Sequence, residues 1–95
     1  MAAYVVVNIR VDDPVGYEEY KATVEDSIAA YGGRYLVRGG RSWRLEGEWE
    51  PHRLVILEFA DAERAKAWWS SAEYAGPKAI RHATARSDMV VVEGV

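Results

Sequence analysis

Apolar positions alternate from Ala3 to Val11, with Val5, Val7, Ile9 and Val11 on one side and Tyr4, Val6, Asn8 and Arg10 on the other; this predicts a central β-strand. The period then lengthens. Tyr17, Tyr20, Val24, Ile28 and Tyr31 recur at three- and four-residue steps, a helical stripe with Glu18, Glu25 and Asp26 turned outward. Asp13 is placed to cap that helix, Pro14 suits its first position, and Gly32-Gly33 supplies the residue a helix C-terminus favours. A second strand follows over Arg34 to Arg38, with Arg34, Leu36 and Arg38 on one face and Tyr35 and Val37 on the other, and Gly39-Gly40 marks a turn. From Arg41 to Trp49 the pattern is ambiguous: Trp43 and Leu45 alternate with charged neighbours, which reads as a hairpin extension ending near Gly47 and Pro51.

Arg53 to Phe59 is almost continuously apolar, as in a strand covered on both faces. Asp61 then caps a helix in which Ala65, Trp68, Trp69 and Ala72 share a face, and Ser70-Ser71 bends or breaks it. A further helical stretch runs from Glu73 to Ala85. Because proline is tolerated in a first turn, its regular part is expected to begin near Pro77, with Ala79, Ile80 and Ala83 inward. Ser87 to Glu93 closes the chain as a strand, Val90 and Val92 facing away from Met89 and Val91.

The resulting order is β-α-β-β-α-β, the split βαβ arrangement called ferredoxin-like, an α+β sandwich. Right-handed crossovers give an antiparallel sheet of order 4-1-3-2 with the helices on one face. The other face is left bare, yet the central strands are apolar on both sides. Stacking two such sheets in a two-fold dimer is the simplest way to cover it, so a homodimer is expected.

Length and composition narrow the function classes. Ninety-five residues allow one domain, and 49% hydrophobic with 28% charged residues fits a folded, soluble chain. A net charge of −3 disfavours nucleic acid as a partner, although nine of the twelve cations are arginine and Arg34, Arg38, Arg41 and Arg44 fall close together. That cluster suits either a solvated hairpin with surface ion pairs or an anion-binding patch. An RNA-recognition module shares the strand order, but its aromatic and basic third-strand motif is absent from Arg53 to Phe59. There is no cysteine, and the N-terminal stretch lacks the character of a signal peptide or membrane span, so a cytoplasmic location is expected.

The run Tyr31-Gly32-Gly33-Arg34-Tyr35-Leu36-Val37-Arg38-Gly39-Gly40 resembles the DUF1330 family of small proteins in the dimeric α/β-barrel superfamily. The resemblance continues through Leu45-Glu46-Gly47, Pro51, Arg53 to Phe59, Trp68-Trp69-Ser70 and Ser71-Ala72-Glu73-Tyr74, and spans residues 1–95 as a single domain. Two departures lie at helix starts: the family often has proline at the place of Ala72, and Pro-Ser at Ala60-Asp61. The resemblance implies a ferredoxin-like homodimer whose sheets form a barrel, but no reaction. Superfamily relatives that share only the fold include cofactor-free monooxygenases and muconolactone isomerase-like enzymes, whose pockets tend to lie between sheet and helices.

Polar residues inside apolar strands are the candidates for chemistry. Asn8, Arg38 and Glu58 either satisfy one another structurally or converge on a ligand, in which case Arg38 would hold an anionic or enolate oxygen, Glu58 would be a general base and Asn8 would orient the substrate. Tyr17, Trp68 and Tyr74 are expected to face the sheet, as core or as pocket walls, with Arg34 as a further ligand-binding candidate. His52 and His82, the only histidines, do not suggest a metal site, and no cofactor is expected. The sequence thus favours a small-molecule-binding homodimer, with a cofactor-independent isomerase, cyclase or oxygenase acting on a small aromatic or carbonyl compound as the candidate activity. The rival is a non-catalytic interaction or regulatory module that uses its aromatic residues at the dimer interface.

Overall fold

A computed structural model describes all 95 residues. Strands β1 (Ala3–Val11), β2 (Arg34–Arg38), β3 (Arg53–Phe59) and β4 (Ala85–Glu93) form one sheet of order β2-β3-β1-β4, every neighbouring pair antiparallel. This is the predicted order read from the opposite edge. Helices α1 (Pro14–Ala30), α2 (Ala62–Trp69) and α3 (Ala72–Thr84) complete the chain.

The core follows the predicted periodicities. Val5, Val7 and Ile9 of β1 and Val55, Leu57 and Phe59 of β3 are buried, and they meet Tyr17, Tyr20, Val24 and Ile28 of α1, with Trp68 and Tyr74 filling the space beneath α2 and α3. Opposite strand parity puts Tyr4, Val6, Leu54 and Ile56 on the face that no helix covers, where they are half-buried. Val90 and Val92 of edge strand β4 extend this face and are exposed.

Glycine explains two sharp junctions near β2. A side chain at Gly33 would collide with Phe59 and Ile28, so the chain can enter β2 tightly only without one. Gly39, with φ +70°, leaves β2 in the left-handed region, and the Arg53 guanidinium packs over it where a Cβ would stand.

Four expectations are corrected. Residues 39–52 contain no strand, so Arg41 to Trp49 does not extend a hairpin. Its apolar side chains Trp43, Leu45 and Trp49 are exposed, Trp43 lying under the Arg41 guanidinium at 5.1 Å. The final helix starts at Ala72, placing Pro77 in its interior; Ser71 caps it by accepting from the Tyr74 amide at 3.1 Å, and buried Tyr74 anchors the turn that proline would otherwise have to start. Its buried residues are Tyr74, Arg81 and Thr84, with Ile80 partly covered, while Ala79 and Ala83 are exposed. Trp69 and Ala72 likewise turn outward, leaving Ala65 and Trp68 as the buried face of α2.

Candidate functional site

The β2–β3 register decides which strand residues can meet. Arg34 pairs with Glu58 and Tyr35 with Leu57, but an irregularity between Tyr35 and Val37 brings Val37 opposite Ile56 and Arg38 opposite Val55. The extra residue reverses the expected parity beyond Leu36. Arg38 therefore lies on the helix side, where its Nη1 is 3.4 Å from Glu25 and its Nη2 donates to the Lys21 carbonyl at 3.2 Å. Its guanidinium also covers the Tyr35 ring at 4.5 Å.

The other two strand residues remain on the open face. Glu58 is held by Arg34, whose Nε donates at 2.7 Å. Asn8 accepts from the His52 amide at 2.9 Å and thereby ties the β2–β3 connection to β1. Asn8 stands opposite Leu54 and Glu58 opposite Tyr4, four places apart on β1, or about 13 Å at the usual strand rise. The expected convergence of Asn8, Arg38 and Glu58 therefore does not form. Arg34 belongs to the Glu58 pair rather than to a pocket.

Two depressions lie on the helix side. The larger, about 370 Å³, opens between α2 and β4 and is mainly apolar, with Trp69, Met89 and Val91 among its walls and Lys66 its one charged residue. The smaller is a recess between the sheet and α1 of about 20 Å³, room for about one water. Tyr17, Tyr20 and Tyr35 line it together with Arg38 and Arg53, over a floor that includes Val55 and Leu57. Trp68 and Met89 border both depressions.

Arg53 is the residue that the sequence reading missed. Its position shares parity with Val55, Leu57 and Phe59, so strict alternation would have placed it on the core side. The guanidinium carbon is 5.8 Å from the centre of the Tyr17 ring, and Nε is buried with no hydrogen-bond partner in the chain. Burial raises the Tyr17 phenol above its ordinary range, with Arg53 and then Arg81 opposing the shift. Burial likewise raises Tyr35, against the pull of Arg38. Both phenols therefore remain hydrogen-bond donors at neutral pH. The recess offers donors and cations, and none of its lining residues is a carboxylate or histidine.

Among the expected pocket residues, Tyr17 and Trp68 do line the recess. The Trp68 indole donates to Ser27 Oγ at 3.1 Å, so a buried polar atom of α1 fixes the ring. Tyr74 lies behind the recess, its ring 4.1 Å from that of Trp68.

The family model for the domain of unknown function DUF1330 matches residues 2–95. The chain belongs to the DUF1330 family. Within this DUF1330 domain, the glycine and arginine run has a local physical basis: Gly33 admits Phe59, Gly39 admits Arg53, Arg34 pairs Glu58 and Arg38 covers Tyr35. Its fold is similar to that of RPA0582 from Rhodopseudomonas palustris, a protein of unknown function, at TM-score 0.78 and 15% identity over 99% of this chain and 82% of that one. It is also similar to a dimeric ferredoxin-like protein of unknown function from Jannaschia sp. CCS1, at TM-score 0.72 and 15% identity over 99% and 100% of the two chains. SnoaB from Streptomyces nogalater, a cofactor-independent oxygenase, aligns at TM-score 0.66 and 12% identity over 99% of this chain and 93% of its own. These likenesses establish the ferredoxin-like fold of this DUF1330 member. No curated protein matches the sequence.

Proposed function

We propose that this protein binds a small aromatic or apolar molecule through an anionic or enolate oxygen, in the recess between the sheet and α1. The observation that carries the reading is Arg53, a cation with a buried, unpartnered Nε beside the Tyr17 phenol. Leaving such a donor unsatisfied typically costs about 1–3 kcal/mol, and a ligand oxygen would recover it. Tyr17 and Tyr35 supply aromatic walls. Arg38 and Lys21 form the outer rim; both side chains are partly exposed, and a ligand larger than water requires them to swing outward, with Arg38 exchanging its contacts to Glu25, the Lys21 carbonyl and Tyr35 for contacts to the ligand.

A site built of donors can hold a carboxylate or favour the enolate of a bound carbonyl compound. Glu58 cannot serve it as general base from the opposite face of the sheet. The same reading includes a homodimer formed through the uncovered face, where Val6, Leu54 and Ile56 present the apolar surface that a second copy would bury. Trp43 and Trp49 support the rival interaction-module reading at the level of assembly: they are 70% and 61% exposed, whereas Trp68 alone among the four tryptophans is buried within the subunit.

Titrating benzoate and neutral benzamide into the wild-type protein and Arg53→Met tests the binding reading. Benzoate is expected to bind the wild type in preference to benzamide, and Arg53→Met to weaken it about tenfold or more, as for loss of a charged hydrogen bond. Equal binding of the two compounds, or unchanged benzoate affinity in a folded Arg53→Met, would contradict it.

A further inference from the structure

The one fully buried arginine lies on α3. Arg81 is only 4% exposed, and none of its hydrogen-bond partners is a carboxylate. Its Nε donates to the Tyr74 hydroxyl at 3.2 Å, Nη1 donates to Ser87 Oγ on β4, and Nη2 lies 3.3 Å from His82 Nε2. A guanidinium so far from water normally requires a counter-charge or a full set of strong acceptors. Here the neutral partners leave the positive charge uncompensated.

The charge's polarising effect runs along a defined line of hydrogen bonds. The fully buried Tyr74 hydroxyl, after accepting from Arg81, is 3.0 Å from the hydroxyl of Tyr20, which is also buried. Accepting from a cation polarises the Tyr74 O–H, so its favoured role is donor to Tyr20. Tyr20 is itself a wall of the recess and makes no other side-chain hydrogen bond. Its own proton is then left to donate to whatever occupies that space.

We propose that Arg81 and Tyr74 are positioning residues that make the Tyr20 hydroxyl the inner hydrogen-bond donor of the recess, aimed at the anionic oxygen of an aromatic carboxylate or enolate. The inference rests on the binding reading above and adds to it a second donor, set on α1 and oriented from α3. Desolvation by burial raises the Tyr20 phenol well above its ordinary range, so it stays protonated at neutral pH. Arg53 and the tyrosine line thus hold the ligand oxygen from two elements, the sheet and the helical layer.

The test is calorimetric titration with 4-nitrobenzoate, benzoate and 4-methoxybenzoate, whose carboxylates increase in basicity in that order. The proteins are the wild type, Tyr20→Phe, Tyr74→Phe, Arg81→Lys and Arg81→Met. A strong donor makes affinity rise with carboxylate basicity. Tyr20→Phe is expected to lose about tenfold in benzoate affinity and to flatten that dependence. Tyr74→Phe, which removes one hydroxyl and keeps the ring, should flatten it while leaving Tyr20 in place. Arg81→Lys should retain more of the slope than Arg81→Met.

A wild-type slope in Tyr74→Phe, or wild-type affinity in Tyr20→Phe, would overturn the inference while leaving Arg53-dependent binding intact. Failure of all three benzoates to bind the wild-type protein would overturn both. Should Arg81→Met not fold, Tyr74→Phe and Arg81→Lys still decide the matter, because a purely structural role for Arg81 predicts no change in slope.

Discussion

Gly39 shows how one residue fixes the position of another. Its positive φ ends β2, and the missing side chain leaves the space occupied by the Arg53 guanidinium. Gly39→Ala therefore meets two penalties, backbone strain of about 1–2 kcal/mol and displacement of Arg53. At about 4–8 °C per kcal/mol for a domain of this size, thermal unfolding should fall by roughly 5–15 °C, with benzoate binding weakened in parallel. Gly40→Ala is the control, since a Cβ there meets nothing within 4 Å and the position has no positive φ. Equal effects of the two substitutions would refute the special role of Gly39. Much at this scale was readable: the α1 stripe from Tyr17 to Tyr31 and the alternation of β1 both describe the core. Arg38 was misplaced because a one-residue irregularity in β2, which leaves no composition signature, reverses parity after Leu36. Nothing in the sequence pattern marks Arg81 as buried, yet hydrogen bonds to Tyr74 and Ser87, 6–7 residues away in either direction, hold it inside.

The break between α2 and α3 governs which aromatic rings reach the interior. Asp61 starts α2 by accepting from the Arg64 amide at 2.8 Å, and Ser71 starts α3 while its hydroxyl also donates to the Trp68 carbonyl at 2.7 Å. With the chain redirected at Ser70-Ser71, Trp68 and Tyr74 both enter the core and Trp69 stays outside. Ser71→Ala should cost about 1–2 kcal/mol by removing the cap, measurable by urea unfolding with an unchanged m-value. A change below about 0.3 kcal/mol would show that Tyr74 packing alone starts the helix. The position of Pro77 was misjudged for the same reason: tertiary anchoring at Ser71 and Tyr74 outweighs the lost backbone bond of an interior proline.

At the scale of the molecule, the helices fill one side of the sheet and leave the other uncovered. Alternation in β1 and the apolar run of β3 predicted two covered faces, and the chain covers one. If the second copy completes the fold, sedimentation should give twice 10.7 kDa at micromolar concentration, and Ile56→Asp should give the monomer. A monomeric wild type would contradict that assembly. The exposed Trp43, Leu45 and Trp49 of the β2–β3 connection lie outside the intrasubunit core in either case. Sequence reasoning placed the candidate chemistry on the strand residues Asn8, Arg38 and Glu58, whereas the irregularity in β2 and the parity of Arg53 put Arg38 and Arg53 on the helix side.

The most direct test of ligand binding at that place is a crystal structure with 4-bromobenzoate, located by the anomalous scattering of bromine. The expected result is a bromobenzoate between the sheet and α1, its carboxylate within hydrogen-bond distance of Arg53 Nε and its ring between Tyr17 and Tyr35. Bromine found only in the apolar depression between α2 and β4, with Arg53 untouched, would contradict the account.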